Sequence, residues 1–164
     1  MSQQGQKAEG KGKSLVSCEQ MRRLHLEEKV ILLHRLKDNT DPAVVEVVEE
    51  AFSAPLRKIW ADTAPTSSGD PIADLIEVLW KASPHLFDFT IHEVEGGVQV
   101  YINRCLFHDV AKKLGATAWG TKLFCSDYRD TVDTFNPSIA FRCTKTLMQG
   151  DAHCDFYFYL KDRR

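Results

Sequence analysis

LFDFTIHEVEGGVQVYIN, residues 86–103, is the stretch on which the fold turns. Phe87, Phe89 and Ile91 alternate there with Asp88, Thr90 and His92. After Gly96-Gly97, Val98, Val100 and Ile102 alternate with Gln99, Tyr101 and Asn103. Strand side chains point to opposite faces in turn, so two period-two runs about a glycine pair specify a β-hairpin.

Upstream of residue 86 the apolar period is near four. Met21, Leu24, Leu26, Val30, Leu33 and Leu36 recur among charged residues, which predicts an amphipathic helix. Ser17 and Gln20 have capping-box spacing at its start, and Asn39 stops it. Asp41-Pro42 and Asp70-Pro71 each pair a capping carboxylate with a proline at the first helical position. They open two further helices. The first of these is expected to bury Val44, Val47, Val48, Ala51, Phe52, Leu56, Ile59 and Trp60, with Pro55 kinking or dividing it. The second carries Ile72, Leu75, Ile76, Leu79 and Trp80 and ends before Pro84, and residues 63–69 between them read as a loop.

Downstream of the hairpin, helical stretches are expected from near Cys105 to Gly115 and over residues 118–134, until Asn136-Pro137 breaks the pattern. Residues 138–160 read as two strands joined by a turn at Gln149, Gly150 and Asp151. The fold class is therefore α+β: N-terminal helices packed on an antiparallel sheet of about four strands made of two hairpins. Residues 1–14, MSQQGQKAEGKGKS, are polar and Gly/Lys-rich and read as a disordered leader. Residues 15–164 form one expected domain, helical over 15–85 and strand-rich over 86–164.

Composition bounds the function. The 164 residues are 43% hydrophobic and 27% charged, the balance of a globular chain and not of a disordered one. Twenty-one basic against 23 acidic residues, net −2, give no pull toward nucleic acid or an anionic membrane surface. No apolar run is long enough for a membrane-spanning helix. Five cysteines cannot all pair internally, which favours a reduced, cytoplasmic protein over a disulfide scaffold.

Phosphate-binding glycine loops, nucleophile elbows, H-E-x-x-H and C-x-x-C are all missing from the sequence. What stands out is a grouping. Cys105, Cys125, Cys143 and Cys154 lie in the second half with His108, His153, Asp127, Asp151 and Asp155, whereas Cys18 stands apart. Free cysteine is a small core hydrophobe, so burial alone accounts for such residues. Two spacings suggest more. Cys105 and His108 share one face of a helix start, where a thiol is eased toward thiolate. Cys154 sits between His153 and Asp155 on a strand leaving a Gly-Asp turn, and alternation sends it to the opposite face from both.

The same residues carry a family resemblance. Arg104-Cys105-Leu106-Phe107, Phe124-Cys125-Ser126-Asp127, Phe135-Asn136-Pro137, the strand Arg142-Cys143-Thr144-Lys145-Thr146-Leu147 and Gly150-Asp151-Ala152-His153-Cys154-Asp155-Phe156 resemble the L-2-amino-thiazoline-4-carboxylic acid hydrolase family over about residues 100–160. The family usually has proline after the first cysteine, where this chain has Leu106. Cys143 matches no motif position and reads as a packing residue.

The resemblance implies a hydrolase that opens a 2-aminothiazoline carboxylate to N-carbamoyl-L-cysteine. Water must add to C2 of a cyclic isothiourea, the tetrahedral centre must be stabilised, and the ring thiolate must leave. Cys154, Asp155, Asp151, Cys125 and Asp127 are the catalytic candidates that it implies. Arg142, Arg104 and His108 are the substrate-binding ones. Cys105, Cys125 and Cys154 would be the ligands if a divalent metal such as zinc activated the water. The implied partner is a small-molecule substrate, with neither nucleic acid nor membrane, and the helices leave a homo-oligomer open. The alternative is a non-catalytic domain that senses a small ligand or metal with the same cysteines.

Overall fold

In the computed structural model, which describes residues 17–39, 41–62, 69–125 and 128–161, Trp80 is the hub of the core. It is fully buried, with ring centroids of Phe156, Phe158 and Phe89 at 5.2, 5.8 and 6.2 Å. Those phenylalanines belong to the sheet and Trp80 to a helix, so the central contact joins the two halves of the chain.

Each N-terminal helix starts on a cap that the sequence supplies. Helix α1 (Cys18–Asn39) opens with a reciprocal box: the Ser17 N–H donates to Gln20 Oε1 at 2.8 Å and the Gln20 N–H to Ser17 Oγ at 3.1 Å. Asp41 accepts from Ala43 N–H at 2.9 Å at the start of α2 (Pro42–Asp62). Asp70 accepts from Ile72 and Ala73 N–H groups at 3.0 and 3.1 Å at the start of α3 (Pro71–Ile76). Helix α3 continues as a π-helical turn, Glu77–Lys81, that delivers Leu79 and Trp80 to the core.

Two expectations for α2 are corrected. The helix is not divided at Pro55, which lies inside it. Its packed face passes through Val45, 7% exposed, while Val44 and Val47 are 45% and 69% exposed and Ala51 also faces solvent. Valines at 44, 45, 47 and 48 place apolar groups on two sides of the helix, so periodicity does not choose between them. Tertiary partners do: α2 packs against α1 and α6, with Glu49 3.6 Å from Lys122 and Phe52 under the Lys29 ammonium. The side chains of Leu56, Ile59 and Trp60 lie outside the described set, as do the leader and residues 63–68. On α1, Leu26, Val30 and Leu33 are buried, whereas Met21 and Leu24 are exposed.

The strands are β1 (Phe87–Val94), β2 (Gly97–Cys105), β3 (Ile139–Cys143) and β4 (Cys154–Leu160). They form a four-stranded sheet in the order β1-β2-β4-β3, antiparallel at every pairing. The two expected hairpins are thus joined edge to edge by β2 and β4. The β3–β4 connection is longer than the expected turn, spanning residues 144–153 with a 3₁₀ turn at Leu147–Gln149 and Gly150 at φ +94°. Between β2 and β3 lie α4 (Leu106–Lys113), α5 (Thr117–Gly120) with a second π-helical turn at Thr121–Cys125, and α6 (Tyr128–Phe135). The architecture is α+β. Among the described residues no helix is long and apolar enough to cross a membrane.

Candidate active site

Four segments end around one cavity, and each brings a cysteine. Cys105 closes β2, Cys125 closes the second π-helical turn, Cys143 closes β3 and Cys154 opens β4. All four thiols are free, partly buried and line a space of about 330 Å³. Sheet register accounts for two of them. Cys143 pairs with Phe156 and Ile102 with Cys154, so Cys143 and Cys154 are diagonal neighbours on the inner face. Residues 144–153 fold over the mouth, where the Leu147 N–H donates to Cys154 Sγ at 3.3 Å and Cys143 Sγ donates to the Lys145 carbonyl at 3.3 Å.

The cavity keeps its thiols protonated. Burial pushes Cys105 up from 9.0 to about 11, although the His108 and Phe107 N–H groups of the first α4 turn pull it down. The expected easing toward thiolate is therefore overturned, because lost hydration outweighs the helix N-terminus. Burial pushes Cys125 to about 12, with the other three thiols adding to the rise. Cys143 is raised by burial to about 12, and Cys154 is also raised by burial. Burial likewise raises the Tyr128 hydroxyl on the same wall, with Cys125 and Cys105 adding to it.

Polar groups enter the cavity from three sides. His108 lines it from α4, with Nδ1 3.6 Å from Asp109 Oδ1. Arg129 reaches it from α6, and Thr121, Thr144 and Thr146 bring hydroxyls. Among the described residues no carboxylate lines it.

The remaining sequence candidates sit elsewhere. Asp155 faces the other side of the sheet, and its carboxylate accepts from Thr144 N–H at 2.7 Å, Lys145 N–H at 2.6 Å and the Thr144 hydroxyl. Burial would raise this carboxyl, but those hydrogen bonds outweigh it and hold the carboxyl below its ordinary value. Asp151 accepts from the Thr146 N–H at 2.8 Å and closes the same connection. Arg142 lies over the Tyr157 ring, 5.5 Å from its centroid. Arg104 is exposed and ties α1 to α4 through Glu19 at 3.5 Å and Asp109 at 3.3 Å. Asp127 lies outside the described residues, and so does the side chain of Cys18.

Cys143 and Arg129 are among the cavity residues that escape the sequence reading. Cys143 has a signal, since alternation along β3 puts it on the same face as Phe141. Arg129 has none, because an arginine on a short amphipathic helix looks like any solvated charge. The three cysteines considered as metal ligands do not form a set. Among the described residues no three His, Cys, Asp or Glu side chains are grouped to hold an ion.

A family model described as L-2-amino-thiazoline-4-carboxylic acid hydrolase matches residues 21–158. The chain belongs to that family. The match takes in the helical half as well as the motif blocks after residue 100, so family kinship covers most of the chain. No curated protein and no solved structure matches it.

Proposed function

We propose that the chain is a hydrolase that opens a small cyclic isothiourea bearing a carboxylate, of the 2-amino-thiazoline-4-carboxylate type, in the four-cysteine cavity. The supporting observation is the convergence of Cys105, Cys125, Cys143, Cys154, His108 and Arg129 on one space in a member of this family. A volume of about 330 Å³ suits a single small heterocycle.

Thiol acidity favours a water route over a cysteine nucleophile. A pKa of about 11 leaves about one Cys105 in 10⁴ as thiolate at pH 7. His108 is the better base. Asp109 beside Nδ1 favours the tautomer that leaves the Nε2 lone pair free. In the proposed reaction Nε2 takes a proton from water as the oxygen bonds to C2, and the C2=N π pair moves to nitrogen. The hydroxyl proton passes to that nitrogen as the tetrahedral centre collapses with cleavage of the C2–S bond, and the imidazolium returns its proton to the departing sulfur. The water oxygen becomes the ureido carbonyl of N-carbamoyl-cysteine. Burial makes these thiols poor proton donors, so proton return falls to His108. Arg129 faces the carboxylate, and the thiols supply a weakly hydrated wall for the sulfur. Free cysteines suit a reducing, cytoplasmic setting.

The test is turnover of 2-amino-thiazoline-4-carboxylate in H₂¹⁸O, followed by mass spectrometry. The proposal expects one ¹⁸O in the ureido product, retained activity in Cys154→Ser and lost activity in His108→Gln. Saturable binding without turnover would instead support the ligand-sensing alternative.

A further inference from the structure

A second cavity, also about 330 Å³, lies beside the first, and its lining has a different chemistry. Leu26, Leu79, Leu86, Phe107, Leu123 and Phe124 make its walls. Its rim carries Arg22, His25 and Lys29, spaced i, i+3 and i+7 on one face of α1. Among the described residues no acidic side chain lines it. The Lys29 ammonium lies 5.1 Å from the Phe52 ring centroid, which anchors that side chain between α1 and α2.

We infer that this cavity binds a small amphipathic anion, a carboxylate with an apolar chain or aryl body. An apolar slot removes the body from water, and the rim offers two permanent cations to a headgroup that stays near solvent. A neutral ligand with the same body gains only the first of these. A cationic one is repelled. The separation from the cysteine cavity is thin: Phe87, Phe107, Phe124 and Tyr128 line both spaces. An occupant of the α1 cavity therefore presses on the aromatic wall of the other. Binding itself rests on the rim and the slot and does not depend on the hydrolase reading.

The experiment is isothermal titration of the full chain with decanoate, decanol and decyltrimethylammonium, which share a tail and differ in charge. The expected result is 1:1 decanoate binding at least tenfold tighter than decanol, with no saturable binding of the ammonium. In Arg22→Gln/Lys29→Gln, with Arg22 exposed and Lys29 half-buried at the rim, decanoate should fall to the affinity of decanol while decanol is unchanged. Ser83→Phe, which fills the slot, should weaken decanoate and decanol at least tenfold, with circular dichroism checking that the fold persists. Equal affinity for the three ligands, absence of saturable decanoate binding, or a decanoate affinity untouched by the rim substitutions would overturn the assignment.

Discussion

Cys154 and Asp155 are neighbours in sequence and live in different places. Cys154 enters the cavity under the helices, while Asp155 faces the outer side of the sheet and staples the β3–β4 connection. The contrast extends across the whole sheet. Its inner face carries phenylalanines and protonated thiols beneath α3 and α6. Its outer face carries His92, Tyr101 and His153 in edge contact at 5.8 and 5.0 Å, and Tyr157 stacked on Tyr159 at 5.6 Å. Both faces offer histidine, so residue type does not choose the site. Burial raises the thiols of the inner face, and such loss of hydration gives electrostatic catalysis its strength.

The sharpest way to break the comparison is to remove one histidine from each face. His108→Gln should lower kcat/KM on a cyclic isothiourea by about 10²–10⁴-fold, the usual weight of a general base. His153→Gln should stay within about twofold. The reverse order in a steady-state assay would move the site to the outer face.

A backbone position on β2 gives the next effect. A Cβ at Gly97 would sit 2.1 Å from the Phe158 carbonyl oxygen and 3.0 Å from the Tyr157 ring, and strand pairing leaves the carbonyl nowhere to go. Gly97→Ala should cost about 3 kcal/mol in urea unfolding, at the upper end of overpacking penalties. A loss under about 0.5 kcal/mol would mean that the β2–β4 joint is looser than the register implies.

Asp155 should matter to the fold and not to turnover. Asp155→Asn keeps the shape but weakens the hydrogen bonds from Thr144 and Lys145, for a loss of about 2 kcal/mol at pH 7. A carboxyl held low stabilises the fold above its ordinary range, and that stability is lost as pH falls through it. The acid limb of stability against pH should therefore be shallower in the Asn variant. Specific activity per folded molecule should be unchanged, and a selective loss of kcat would bring Asp155 back to the chemistry.

How far the sequence reaches can be judged from these residues. Period-two alternation places the strands and separates Cys154 from Asp155, and the caps at Ser17, Asp41 and Asp70 mark helix starts because each is a local chemical event. The face of α2 is not legible, since valines lie on both sides and α1 and α6 choose between them. The site is legible as a set of cysteines but not as a cavity. Its closing depends on β2 pairing with β4 across more than 50 residues, which brings Cys105 near Cys154. Arg129 arrives by the same long-range route. The roles implied for Asp151 and Asp155 are the instructive case. A carboxylate in or just beyond a Gly-Asp turn suits both a catalytic role and a loop staple, and local sequence does not separate the two.

The thiols give the smallest effect and the one that bears most directly on mechanism. In the unfolded chain Cys105 and Cys125 ionise near 9.0, but in the fold burial holds them at about 11 and about 12. The folded state keeps these protons above pH 9 while the unfolded state releases them. Stability should be fully present below pH 9 and fall above it, by up to about 1.4 kcal/mol per pH unit for each thiol. Tyrosines and lysines titrate in the same range, so the informative quantity is the difference between wild type and Cys125→Ala across pH 8–11. The alanine variant should start lower, from lost packing, and then fall less steeply by one thiol's share. Parallel curves would mean that Cys125 ionises as readily in the fold as out of it. A thiolate would then be present in the cavity at moderate pH, the acidity argument for water and His108 would fail, and a cysteine nucleophile would become the better reading.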